Sequence, residues 1–179
     1  MVNKVILILM LAVSINVLGS DKSDLSIERN TSDNVSNIKK DGEKAPPFSL
    51  KSVDGKTIKL TDYKGKIVIL DFWATWCPPC RRGIPDLISI QKEYKKKVVV
   101  IGISLDRDKT IKDVPGFMKE YGVNYPVVYG DDKIVVDYGG IRSIPTSFVV
   151  DQKGNIVDMH VGLVPKDVFV SKIKELLKK

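Results

Sequence analysis

The chain has 179 residues, which suits one compact domain with appendages. Hydrophobic residues make up 43% of it and charged residues 28%, an ordinary balance for a soluble protein able to bury a core. The net charge of +7 comes mostly from lysines interleaved with acids; without an Arg-rich block or a basic stripe among aromatics, it argues against a nucleic-acid partner. The two cysteines form a single CxxC, which excludes a dense disulfide framework and a four-cysteine zinc site.

Residues 1–19 have the pattern of an export signal. Lys4 gives a positive start, Val5 to Leu18 is an apolar run broken by Ser14 and Asn16, and Val17 and Gly19 are the small residues expected before a cleavage point at Ser20. The run is shorter than the ~20 residues of a spanning helix, which favours cleavage; an uncleaved anchor, tethering the domain to a membrane, is the alternative. Ser20 stands where a lipoprotein would carry its lipidated cysteine, so lipid anchoring is not expected. Residues 20–44 are rich in Ser, Asp, Asn and Lys and contain no aromatics, as a flexible polar linker would be. Residues 45–179 are the expected folded domain.

Within that domain, Phe48 to Ser52 and Thr57 to Leu60 flank Asp54-Gly55 and predict a hairpin. Tyr63 to Lys66 reads as a loop. Ile67 to Trp73 is a nearly continuous apolar run, the signature of a buried central strand. A helix is expected from about Cys80 to Lys96, then a second buried strand at Val98 to Ser104; two such strands joined by one helix imply parallel pairing. Asp106, Arg107, Asp108 and Lys109 read as a solvated charged loop, free to touch a partner. A short helix at Val114 to Tyr121, a strand at Val127 to Tyr129 and a helical turn at Lys133 to Tyr138 follow. Ser147 to Asp151 and Ile156 to Val161 predict a second hairpin, and Lys166 to Leu177 a closing amphipathic helix. The fold class is α/β, a mixed sheet flanked by helices.

Cys77-Pro78-Pro79-Cys80 lies between a strand end and a helix start. A helix N-terminus presents unpaired N–H groups and a positive dipole end, so a thiolate at Cys77 would be stabilised there. Cys80, one turn further on, would be the more buried resolving thiol. Prolines fit the first turn because its N–H groups lack partners anyway. A purely structural disulfide closing so short a loop would add little stability.

Asp71 to Cys80 (DFWATWCPPC) resembles the active-site segment of thioredoxins, and Ile141 to Thr146 (IRSIPT) resembles their cis-proline loop. Pro85 matches the proline of their first long helix. The stretch from Ala45 into Lys64-Gly65-Lys66, with the insertion before Pro145, is similar to the TlpA/ResA branch. The resemblance covers about residues 45–177. It implies a thioredoxin-like fold, activity as an exported thiol–disulfide reductant, a cis Ile144–Pro145 peptide beside the cysteines, and an Ile144 backbone left free to pair with an extended substrate segment. It implies disulfide-containing protein substrates and a membrane thiol-reductant as electron donor, with no organic cofactor or metal. Gly83 departs from the branch, which usually has Glu three residues after the second cysteine.

Asp71 lies on the buried strand, on the same face as Trp73. Burial should raise its pKa, fitting it to take the Cys80 proton in the absence of that Glu. Trp76, next to the nucleophile, is either a flat apolar contact for substrate or a shield for the disulfide; Trp73 reads as core and His160 as an ordinary strand residue. Three rivals remain: a disulfide-forming oxidase; a peroxiredoxin-like peroxidase, disfavoured because Ala74 stands where those enzymes place Thr; and a copper-binding module using Cys77, Cys80 and His160, disfavoured because SCO-type copper chaperones use CxxxC.

Overall fold

The computed structural model describes residues 42–178. The export signal and most of the linker expected at 1–44 lie outside the described residues. Two runs of seven apolar-rich residues build the middle of the molecule: β3 (Ile67–Trp73) and β4 (Val98–Ser104), every residue of both buried. They pair in parallel, Ile67 against Val98 through Trp73 against Ser104, as the intervening helix requires. That helix, α1 (Pro78–Tyr94), starts two residues earlier and ends two earlier than expected, because Pro78 and Pro79 serve as its first two residues.

The five-stranded sheet runs β5-β4-β3-β6-β7, with β5 (Val127–Tyr129) parallel to β4, β6 (Thr146–Val150) antiparallel to β3, and β7 (Ile156–Val161) antiparallel to β6. Alternation along β3 divides the core. Ile67, Ile69 and Trp73 pack with Ile84, Leu87 and Ile90 of α1, Val114 and Phe117 of α3 (Val114–Tyr121), and Phe169, Ile173 and Leu176 of α5 (Lys166–Leu177). Val68, Leu70 and Phe72 pack on the other face with Ile134 of α4 (Asp132–Asp137), Tyr138, Ala45 and Leu50.

A hairpin of β1 (Ser49–Lys51) and β2 (Thr57–Lys59) precedes the sheet, and Gly55 takes the left-handed conformation in its turn. A 3-10 helix (Leu60–Tyr63) follows, between the strand expected to end at Leu60 and the loop expected from Tyr63. The stretch before and through β1 touches both outer strands. Ala45 N–H donates to the Gly154 carbonyl and Ile156 N–H to the Glu43 carbonyl beside β7, while Val53 N–H donates to the Val127 carbonyl on β5. Seven extended residues reach about 23 Å, enough to cross the roughly 19 Å between the outer strands of a five-stranded sheet.

Asp108 to Ile111 form a short helix, α2. The loop before it corrects the sequence expectation. Asp106, read as solvated with its charged neighbours, is fully buried. The parallel strands β3 and β4 end side by side, so residues just past Ser104 lie against those just past Trp73, and Asp106 turns inward there.

Candidate active site

The site stands where β3 gives way to α1. Ala74 to Cys77 form a turn closed by the Cys77 N–H donating to the Ala74 carbonyl at 3.2 Å. Cys77 is the N-cap of α1, and its Sγ accepts from the Cys80 N–H at 3.3 Å. Cys77 and Cys80 are joined as a disulfide, and both are buried. The sulfur of Cys77 thus sits at the positive end of a 17-residue helix.

The Ile144–Pro145 peptide is cis. The Ile144 carbonyl oxygen lies 3.6 Å from the Cys77 Sγ, so the loop before β6 is laid directly against the disulfide. Thr146 steadies this loop through its hydroxyl, which donates to the Ser143 carbonyl at 2.7 Å, and Gly162 N–H donates to the Pro145 carbonyl at 2.7 Å.

Asp71 lies on the Cys80 side. Its strand neighbours are Gly102 and Ser147, and with Cys80, Gly83, Pro145 and Leu163 it lines a cavity of about 20 Å³. Burial alone pushes its pKa up to about 7. The Tyr125 hydroxyl is raised as well, by burial first and by the Asp71 charge second. A Cβ at Gly83 would stand 3.1 Å from the Leu163 side chain, so an apolar group fills the space beside the one position where the resembled branch carries a carboxylate.

Trp76 is 56% exposed and projects beside the disulfide, whereas Trp73 is buried against Phe117 with ring centroids 5.1 Å apart. His160, on β7, lies 3.2 Å from the Asp158 carboxylate and packs edge-on to Phe169. Among the described residues, no group of three or more His, Cys, Asp or Glu side chains is arranged to hold a metal ion.

The model of the AhpC/TSA family matches residues 42–159. The chain belongs to that family. It is 40% identical over 134 residues to thioredoxin-like protein YneN of Bacillus subtilis, covering 74% of this chain and 78% of the relative. It is 36% identical over 135 residues to thiol-disulfide oxidoreductase ResA of Bacillus anthracis, covering 75% and 78%. The solved structure of a thiol:disulfide interchange protein of the thioredoxin family from Chlorobium tepidum superposes with a TM-score of 0.70 at 36% identity, covering 78% of this chain and 99% of that one. The chain is a thiol–disulfide oxidoreductase of the ResA type, with the thioredoxin-like fold and the Cys77–Cys80 pair.

One buried side chain beside the redox turn is a residue the sequence pattern did not single out, Asp106. The Asp106 carboxylate accepts from the Thr75 N–H at 2.9 Å and the Thr75 hydroxyl at 2.6 Å. The usable signal was placement: an acid two residues past one buried strand, beside the end of its parallel neighbour, four residues before the first cysteine. Set among Arg107, Asp108 and Lys109, it was masked by surface-like company.

Proposed function

We propose that this protein is exported, with residues 1–19 as signal or uncleaved anchor and 20–44 as a tether, and that it reduces disulfides in proteins outside the cytoplasm. Reduced Cys77 attacks a substrate disulfide as thiolate and forms a mixed disulfide. Cys80 then attacks Cys77, the substrate leaves with its thiols, and the Cys77–Cys80 disulfide remains. Asp71 accepts the proton Cys80 gives up. Ile144 and Pro145 offer backbone to an extended substrate segment, and Trp76 offers it an apolar surface. A membrane thiol-reductant restores the dithiol. The CxxCH segments of cytochrome c apoproteins are a substrate class this chemistry suits, because they must be reduced before haem attachment.

The observation that carries this reading is the juxtaposition at the disulfide: the Cys77 sulfur at the N-terminus of α1, with the Ile144 carbonyl 3.6 Å away and Asp71 lining the cavity behind Cys80. The residues and roles serve a disulfide-forming oxidase equally well, and direction is a matter of potential. The test is the reduction potential of the Cys77–Cys80 pair in glutathione or dithiothreitol redox buffers. A value near or below about −220 mV is expected. A value near about −120 mV would reverse the reaction to oxidation.

A further inference from the structure

The mechanism above leaves one fully buried carboxylate unused. Asp106 receives three side-chain-directed hydrogen bonds: Oδ2 accepts from the Thr75 N–H at 2.9 Å and the Ser104 hydroxyl at 3.0 Å, and Oδ1 accepts from the Thr75 hydroxyl at 2.6 Å. Its own N–H donates to the Ser104 hydroxyl oxygen at 3.2 Å. Burying a carboxylate is expensive unless such donors compensate it, and bonds to a charged acceptor are roughly twice as strong as neutral ones. Two of these bonds converge on one residue, Thr75, which lies within the redox turn.

Thr75 is the link between a rigid strand and a reactive sulfur. Before it, β3 is fixed by ladders on both sides. After it, Trp76 is exposed and the Ala74–Cys77 turn has a single backbone hydrogen bond of 3.2 Å. The Asp106 clamp is fastened from behind as well. Leu105 N–H donates to the Trp73 carbonyl at 2.8 Å, and the Arg107 guanidinium donates to the Gly130 carbonyl and pairs with Asp132 at 3.2 Å.

We propose that Asp106 is a positioning residue for the redox turn. By holding both the N–H and the hydroxyl of Thr75, it keeps Cys77 at the N-cap of α1, where the helix terminus stabilises its thiolate. The inference rests on Cys77 being the attacking thiol. Geometry and charge make opposite demands here, which exposes the idea to test. A carboxylate's own charge disfavours a nearby thiolate, so deleting the charge alone would lower the Cys77 pKa. Deleting the clamp would let the turn drift from the helix terminus and raise it.

The experiment titrates the Cys77 thiolate by its ultraviolet absorbance in the Cys80→Ser chain, alone and combined with Asp106→Ala, Asp106→Asn or Thr75→Val, alongside the rate of attack on a small aromatic disulfide. Asp106→Ala should raise the Cys77 pKa by about one unit and slow attack at neutral pH by up to about tenfold. Asp106→Asn keeps an oxygen for the Thr75 N–H and loses the charge, so it should stay at or below the parent value. Thr75→Val, which removes one clamp bond without touching the buried acid, should fall between parent and Asp106→Ala, and it decides the matter if the alanine variant does not fold. A Cys77 pKa that is unchanged or lowered in both Asp106→Ala and Thr75→Val, with only the melting temperature reduced, would overturn the positioning role while leaving Cys77 as attacking thiol. A parent Cys77 that titrates like a free thiol, near about 8.5, would overturn that reading and the clamp's purpose with it.

Discussion

At the scale of single residues, burial makes the proton affinity of the Asp71 carboxyl a source of pH dependence. Burial lifts its pKa to about 7 from an ordinary carboxylate value of 3.8. A carboxyl whose folded pKa is raised binds its proton more tightly in the native state than in the unfolded one. Its favourable contribution is therefore complete below about pH 4 and is lost as pH climbs through about 7. Asp71→Asn should remove that loss: the variant gains stability over the wild type as pH rises from 5 to 8, by an amount of order a few kcal/mol, and matches it at acid pH. Denaturant melts across this range check the slope. A wild type whose stability does not decline relative to the variant would show the carboxyl to be solvated. The same substitution should slow resolution by Cys80 near neutral pH, because it removes the proposed proton acceptor.

Asp71 and the cysteines were legible in the sequence because each carries a local contradiction: an acid inside an apolar run, and two thiols in a proline-stiffened loop. Asp106 carried none, since an acid among charged residues looks at home. Its burial is a property of two strand ends meeting, 31 residues apart, which no local pattern reports.

At the scale of elements, the strands were legible from their apolar residues, the three-residue β5 at Val127–Tyr129 included, and two four-residue helices were not. The bounds of β3, β4, β7, α3 and α5 follow from runs or periodicities long enough to settle face and length. The 3-10 helix at Leu60–Tyr63 and helix α2 at Asp108–Ile111 are four residues each, too short for any period to show. Register between strands also has a cost that only the assembled sheet reveals. Gly102 is paired with Asp71 in β4, and the indole of Trp73 lies across it: an added Cβ would stand 2.9 Å from Trp73 Nε1 and 3.2 Å from the Val127 side chain. These neighbours are held in a packed core and cannot retreat freely. Gly102→Ala should cost about 1–3 kcal/mol in chemical denaturation, with a change in Trp73 fluorescence accompanying the loss. A variant as stable as the wild type would mean that the indole has room to move.

At the scale of the whole molecule, the resemblance in sequence predicted the architecture because two distant motifs, around Cys77 and Pro145, meet only in one fold. Their meeting is literal here, 67 residues apart in sequence and 3.6 Å apart in space. The insertion between them is what the motifs left open; it supplies β5 and α4, and through Tyr138, whose hydroxyl donates to the Pro46 carbonyl at 3.0 Å, it fastens the N-terminal stretch to the core.

That stretch has a second consequence. A sheet with two free borders is a template on which another copy can build. Here a single strap of chain, leaving β7 at Glu43 and Ala45 and reaching β5 at Ser52 and Val53, occupies hydrogen-bonding groups on both borders at once. A chain beginning at Thr61 would keep the redox centre and lose both guards together. It should elute from a sizing column as growing, concentration-dependent species where the full chain does not, and an unchanged elution would show that the strap contributes packing alone. On the first outcome, the residues that close the fold would also be the ones that keep one sheet from building on another, far from the redox centre.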